Sequence, residues 1–244
     1  MNWKRSHILI GVVLLVLLID QAVKIYIKTN LSYATGFEIF GLDWARIHFV
    51  ENEGMAFGIT FGDKCIGPTR ADGSCAGLML TPATGKLILS TFRIVMVGFL
   101  FYLIRELYKA KEPLGLLISF CLIFAGAIGN ILDSAFYGLL FSESYHHGTV
   151  ATFMPEGGGY APFLHGKVVD MFYFPMVDTI LPDWVPFYGG KRFEFFRPVF
   201  NVADAAISIG VAIILLFYRK FLLSKSDDKT QTQNDSTVST SVAE

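Results

Sequence analysis

The chain has little cysteine and little charge. Its three cysteines, Cys65, Cys75 and Cys121, fall at no spacing that would build a zinc site. Charged residues make up 17% of the 244, and the net charge is −1. That balance supplies no basic surface for nucleic acid. The adjacent His146 and His147 have only His165 as a neighbouring imidazole and match no metal-protease pattern, so no metal site is expected. Internal repeats are also absent. What fills the chain instead is apolar: 53% of residues are hydrophobic and mean hydropathy is +0.50, above the share typical of a soluble domain. The class implied is an integral membrane protein.

Four stretches are apolar enough to cross a bilayer: about 7–27, 86–104, 114–133 and 199–223. The first follows Lys4 and Arg5 like a signal peptide, but no small-x-small site follows Ile19, so it is read as an uncleaved anchor. Positive residues cluster before the first span (Lys4, Arg5), between the second and third (Arg105, Lys109, Lys111) and after the fourth (Arg219, Lys220, Lys225). By the positive-inside rule these segments and both termini are cytoplasmic, and the connections 28–85 and 134–198 face outward. Residues 226–244 are polar, without apolar period, and read as a disordered tail.

This topology sends polar residues to one leaflet. Asp20 and Lys24 share a face in the outer turns of the first helix, spaced i,i+4. Gly126, Asn130 and Asp133 form one stripe at the outer end of the third. Asn201 and Asp204 open the fourth, and Asp170 reaches the same level from the second outer loop. A carboxylate within an apolar run costs roughly 2.5–3.5 kcal/mol even on lenient scales, so Asp204 needs an interface or a partner, and Asp170 is the candidate. Each of the others has a plainer role open to it. Asp20–Lys24 can be a structural ion pair, Asn130 can join packed helices, Asp133 can end its helix, and Arg93 can snorkel or neutralise a nearby acid.

In the first outer loop, Gly36–Phe40 and Arg46–Val50 read as short strands. They precede a turn at Asn52-Glu53-Gly54, where glycine admits close backbone approach. Strands with open edges cannot sit in hydrocarbon, so they form a platform at or above the membrane surface. Cys65 and Cys75 flank a turn-rich excursion that a disulfide would close. The aromatic stretch after Asp170 is expected to lie in the interface plane as a lid or short amphipathic piece. Pro175, Pro182 and Pro186 exclude a long helix beyond it.

Taken in order, Asp20 with Lys24, Asn52-Glu53-Gly54-Met55-Ala56-Phe57, Gly126 to Asp133, Val168-Val169-Asp170-Met171-Phe172 and Phe200-Asn201-Val202-Ala203-Asp204 resemble the lipoprotein signal peptidase (signal peptidase II) family. The resemblance implies an all-α membrane protein, four transmembrane helices with a small extracytoplasmic β-sheet and a long outer loop. It implies an aspartic endopeptidase of the bacterial inner membrane, without cofactor, acting on diacylglyceryl-modified prolipoproteins beside membrane lipid. Asp170 and Asp204 would be its catalytic pair. Asn52, Gly54, Asn130, Asp133, Asn201 and Ala203 would support the site, and Asp20 and Lys24 would brace the bundle. The chain departs from the family in Ser134, where an Arg is usual, and in long intervals at 65–75, 134–166 and 175–198.

Two acids sharing one proton can activate a water and protonate the leaving amine without a metal or a nucleophilic Ser or Cys. Partnered intramembrane acids also mark proton- or ion-coupled transporters. Clustering at one surface, with no paired broken helices, argues against that class. A scaffold built on the outer loops is the third possibility.

Overall fold

A computed structural model describes residues 3–52, 64–66, 78–145, 148–187, 189–195 and 198–219. Gly54, Cys75, the adjacent histidines and the polar tail lie outside these residues, and so does the expected Cys65–Cys75 bridge.

Among the described residues, three helices are long and apolar enough to cross a membrane. Helix α1 (Trp3–Asn30) has 28 residues, as does α2 (Pro82–Lys109). At 1.5 Å per residue each extends about 42 Å, longer than the hydrocarbon layer. Both outrun the expected bounds, because their polar ends continue the helix into the headgroup region. Thr81 caps α2, accepting the Thr84 N–H at 3.2 Å, and Pro82 occupies its first turn, where the missing N–H costs nothing.

Helix α3 (Leu114–Leu132) does not stop at Asp133. A π-helical turn (Asp133–Tyr137) and a short α4 (Gly138–Leu140) continue it into what reads from sequence as outer loop. The fourth apolar run begins as a strand, β8 (Val199–Phe200), and becomes helix α5 only at Val202, ending at Phe217. Residues 220 onward lie outside the described part.

The sheet is larger than two short strands. Strands β1 (Gly36–Ile39), β2 (Leu42–Asn52), β5 (Val168–Tyr173) and β8 form one antiparallel sheet in the order β1-β2-β5-β8. Phe40 and Gly41 make the β1–β2 turn, both at positive φ (54° and 69°), the geometry that matches strand twist in two-residue hairpins. Val50 lies opposite Asp170, and Phe172 opposite Phe200. The segment expected as a lid or amphipathic piece is therefore an interior strand of the sheet. Two small hairpins complete the strands: β3 (Lys64–Ile66) with β4 (Leu78–Leu80), and β6 (Val177–Ile180) with β7 (Arg192–Phe195). The protein is thus a helical membrane protein with a small antiparallel sheet, not purely α-helical.

Two apolar cores sit at opposite ends of the bundle. Leu9, Leu107, Leu116, Leu117, Phe120, Cys121 and Ile214 join the four helices. Ile27, Phe49, Tyr137, Phe141, Val169 and Met171 join the end of α1 to the sheet. Between them α3 and α5 approach closely. A Cβ on Gly129 would lie 3.2 Å from the Ala203 Cβ, and one on Gly210 2.6 Å from the Ser119 carbonyl oxygen. The polar residues occupy the layer between the cores.

Candidate active site

The site begins with Lys24. Its ammonium is buried and all three hydrogens are used: Asp133 Oδ2 at 2.8 Å, Asp20 Oδ2 at 2.9 Å and Asn130 Oδ1 at 3.0 Å. Gln21, one turn earlier, donates to Asp133 Oδ1 (2.9 Å) and Asp20 Oδ2 (3.1 Å), and accepts the Tyr137 hydroxyl at 3.1 Å. Asp20 Oδ1 accepts the Ala203 N–H at 2.9 Å. That N–H belongs to the first turn of α5, where helix donors have no internal partner. Asp133 Oδ2 also accepts the Val169 N–H at 3.4 Å. One buried knot therefore ties α1, α3, α5 and β5 together, which a low-dielectric interior tolerates only because its members are so fully paired.

Above the knot, asparagines hand the network to Asp170 and Asp204. Asn130 accepts from Lys24 and donates to Asp204 Oδ1 at 2.9 Å. Asn201 donates to Asn130 Oδ1 at 3.2 Å and to Asp170 Oδ1 at 2.7 Å. Asn52 donates to Asp170 Oδ2 at 3.3 Å. Asn201 is also the N-cap of α5. Its side-chain oxygen accepts the Asp204 N–H at 2.9 Å, and Asp204 Oδ2 accepts the Asn201 N–H at 3.4 Å. This reciprocal capping box fixes the side chain of Asp204 at the mouth of the helix.

The environments of the two acids differ. Asp170 is buried, Asp204 half-buried. Burial, and then the neighbouring Asp204 charge, push the Asp170 carboxyl up to about 7, against the hydrogen bonds from Asn201 and Asn52 that hold it down. A carboxyl poised near neutrality beside a second acid is the arrangement needed to share one proton and to give and take it.

Asp20, Lys24, Asn130, Asp133, Asn201, Ala203, Asn52, Asp170 and Asp204 thus come together. Arg93 is carried on α2, where Asp204, Asp133 and Asp170 are the charges bearing on it. Cys65 is on β3, its backbone paired with Met79. Ser134, where the family usually has Arg, turns inward: its hydroxyl donates to the Asn130 carbonyl at 3.1 Å and its own carbonyl accepts the Gly166 N–H at 2.8 Å.

Sequence reasoning missed Gln21 and Tyr137, which complete the knot, and a second buried pair, Lys28 with Glu51. Lys28 and Ser144 Oγ both donate to Glu51 Oε1, and the Lys28 ammonium stands 5.1 Å from the Tyr160 ring centre. The signal was present in part: Gln21, Lys24 and Lys28 share the α1 face of Asp20.

Three comparisons with known proteins place the chain in a family and a fold. The profile of the family described as Signal peptidase (SPase) II matches residues 12–220. The lipoprotein signal peptidase of Porphyromonas gingivalis is 42% identical over 226 residues, covering 92% of this chain and 88% of that protein. That of Amoebophilus asiaticus is 34% identical over 208 residues, covering 84% and 75%. A bacterial membrane enzyme solved by the in meso method at 2.3 Å resolution shares the fold, with TM-score 0.50, 20% identity and 91% of this chain covered. With a family match across most of its length, the chain belongs to the signal peptidase II family.

Proposed function

We propose that the chain is an aspartic endopeptidase that removes signal peptides from diacylglyceryl-modified prolipoproteins, with Asp170 and Asp204 as its catalytic pair. The observation that carries this reading is Asn201, whose amide binds Asp170 while its cap fixes Asp204. The ionised acid takes a proton from water, and the water attacks the scissile carbonyl. The protonated acid stabilises the developing oxyanion and then delivers its proton to the leaving amine. Asn130, Asn201 and Asn52 keep both carboxyls oriented through the cycle, and the Lys24 knot holds their elements in place.

The enzyme sits in the bacterial inner membrane as a four-span bundle with both termini cytoplasmic. The sheet and the acids face the periplasm, and the substrate's acyl chains stay in lipid while its signal helix enters from the side. Support for this side comes from Lys4, Arg5, Arg105, Lys109 and Lys111, all at the opposite ends of the helices. Purified protein incubated with a diacylglyceryl-modified precursor should release the signal peptide, and Asp170→Ala or Asp204→Ala should abolish release while leaving expression intact. Wild-type-like cleavage by either variant refutes the assignment, and ion flux in liposomes without cleavage would favour transport.

A further inference from the structure

A polar cavity of about 750 Å³ lies away from the acids, bordered by Glu38, Arg46, His48, Tyr173 and Arg192, with Phe37 beside them. Alternation along β5 puts Tyr173 on the opposite face from Asp170 and Phe172. Register then aligns Tyr173 with Arg46, and Arg46 with Glu38, as one row across three strands. Arg192 comes from a separate sheet. It pairs with Ile180 at the turn end of the β6–β7 hairpin, inside the long interval between the two acids. The cavity is therefore framed by two hairpins.

Its charge favours an anion. Arg46 and Arg192 both border it, and Glu38 engages Arg46 only loosely, at 3.8 Å. Arg46 Nε is buried with no hydrogen-bond acceptor among the described residues. Burial and the Arg46 charge hold His48 below the ordinary imidazole range, so at neutral pH it adds a polar ring and no charge.

The hairpin tips are aromatic and fully out in the open. Phe40 is 95% exposed in the β1–β2 turn, and Trp184 and Phe187 are 81% and 92% exposed beyond β6. Lys191 donates to the Phe187 carbonyl at 3.1 Å, placing an ammonium in the same loop. Exposed aromatic rings with flanking lysine suit the headgroup layer of a bilayer. The sheet is held at that level, since β8 is separated from α5 only by Asn201.

We propose that the cavity between the β1–β2 and β6–β7 hairpins binds the phosphate of an anionic phospholipid headgroup, with Arg46 and Arg192 on the phosphate oxygens and the tip aromatics among the surrounding lipids. Arginine suits this ligand because its planar fork meets two phosphate oxygens at once. The bound lipid anchors the sheet beside the membrane and is separate from the acid chemistry.

The test is native mass spectrometry of the full chain in detergent, titrated with phosphatidylglycerol, phosphatidylcholine or inorganic phosphate. Phosphatidylglycerol should be retained over phosphatidylcholine, and inorganic phosphate should not displace it. Arg192→Gln should weaken retention about tenfold, the scale of one charge-assisted contact. Glu38→Gln should strengthen it, a gain that misfolding cannot produce. Equal retention of both lipids, or no change in either variant, overturns the proposal. Displacement by inorganic phosphate assigns the cavity to a soluble anion and overturns the lipid.

Discussion

Asn201 holds Asp170 at 2.7 Å with its amide nitrogen while its amide oxygen caps the helix that carries Asp204. One side chain thus sets the position of two acids 34 residues apart in the chain. Asn201→Asp keeps an oxygen for the cap but replaces the donor with a third carboxylate. The cap itself should survive, since Asp and Asn cap about equally well, but the buried carboxylate now faces Asp170 Oδ1 and Asn130 Oδ1 without a donor and should lower thermal stability. Processing of a lipid-modified precursor should fall by two orders of magnitude or more, in proportion to the mispositioned acid. Asn201→Ala should also lose about 1 kcal/mol of stability. Near-normal turnover by the Asp variant would remove Asn201 from the site.

Asp170 gives the protein a pH signature. Its carboxyl ionises near 3.8 when unfolded and about 7 when folded. Between those values the folded state binds the extra proton, so this group's contribution to stability falls as pH rises from about 4 to about 7. Asp170→Asn should remove that slope, stabilising the protein more at pH 7 than at pH 5. Wild-type processing should decline on the alkaline side of about pH 7, where the shared proton is lost. Denaturation at both pH values, together with a pH–rate profile, checks both halves; identical slopes in wild type and variant would contradict the first.

The helices were legible because a bilayer demands length and apolarity, and α1, α2 and α3 supply both. The convergence of Asp20, Asn130, Asp133, Asn201 and Asp204 followed from topology alone. Strand β5 was not legible. Both of its faces are covered from Val168 to Met171, so the alternation that marks a half-exposed strand is missing, and its partner β2 lies more than 110 residues away. The π turn at Asp133 leaves no mark in the apolar pattern, because it adds a residue without changing the residues' character. Lys28 stands in the last turn of α1, where a cation is ordinary, and only the fold brings Glu51 to it.

Lys24 carries the buried knot. Lys24→Met leaves Asp20 and Asp133 uncompensated in the interior and should cost about 3–5 kcal/mol. Replacing all three together, as Asp20→Asn, Lys24→Met and Asp133→Asn, should recover much of that loss, because no buried charge is then left alone. Unfolding in a fixed detergent measures both variants. A single Lys24→Met as stable as wild type would mean that water reaches the knot.

Close approach of α3 to α5 depends on glycine. At Gly129 an added Cβ would stand 2.6 Å from Asp20 Oδ2 and 3.2 Å from the Ala203 Cβ, so Gly129→Ala must push α1 or α5 outward. The expected cost is about 1–3 kcal/mol, the range for overpacking. Processing should fall further than stability, since Asn130 and Asp204 face each other across the same gap at 2.9 Å. Gly11, which has nothing within 4 Å of its added Cβ, is the control, and Gly11→Ala should be neutral.

The Lys28–Glu51 pair bears on the site through the backbone. Glu51 precedes Asn52 on β2, and Asn52 reaches Asp170 Oδ2 at 3.3 Å. Both charged side chains are almost wholly buried, at 0% and 2% exposure. Glu51→Ala leaves the Lys28 ammonium without its counter-ion and should cost about 3–5 kcal/mol. The pair Lys28→Met with Glu51→Met removes both charges and should return stability to within about 1–2 kcal/mol of wild type. If the pair fixes the end of β2, this stable double variant still turns over more slowly than wild type at saturating precursor, because Asn52 no longer holds Asp170 in register. A double variant with both stability and turnover restored would show that the charges serve only to fill the interior, and that β5 alone keeps Asn52 against Asp170.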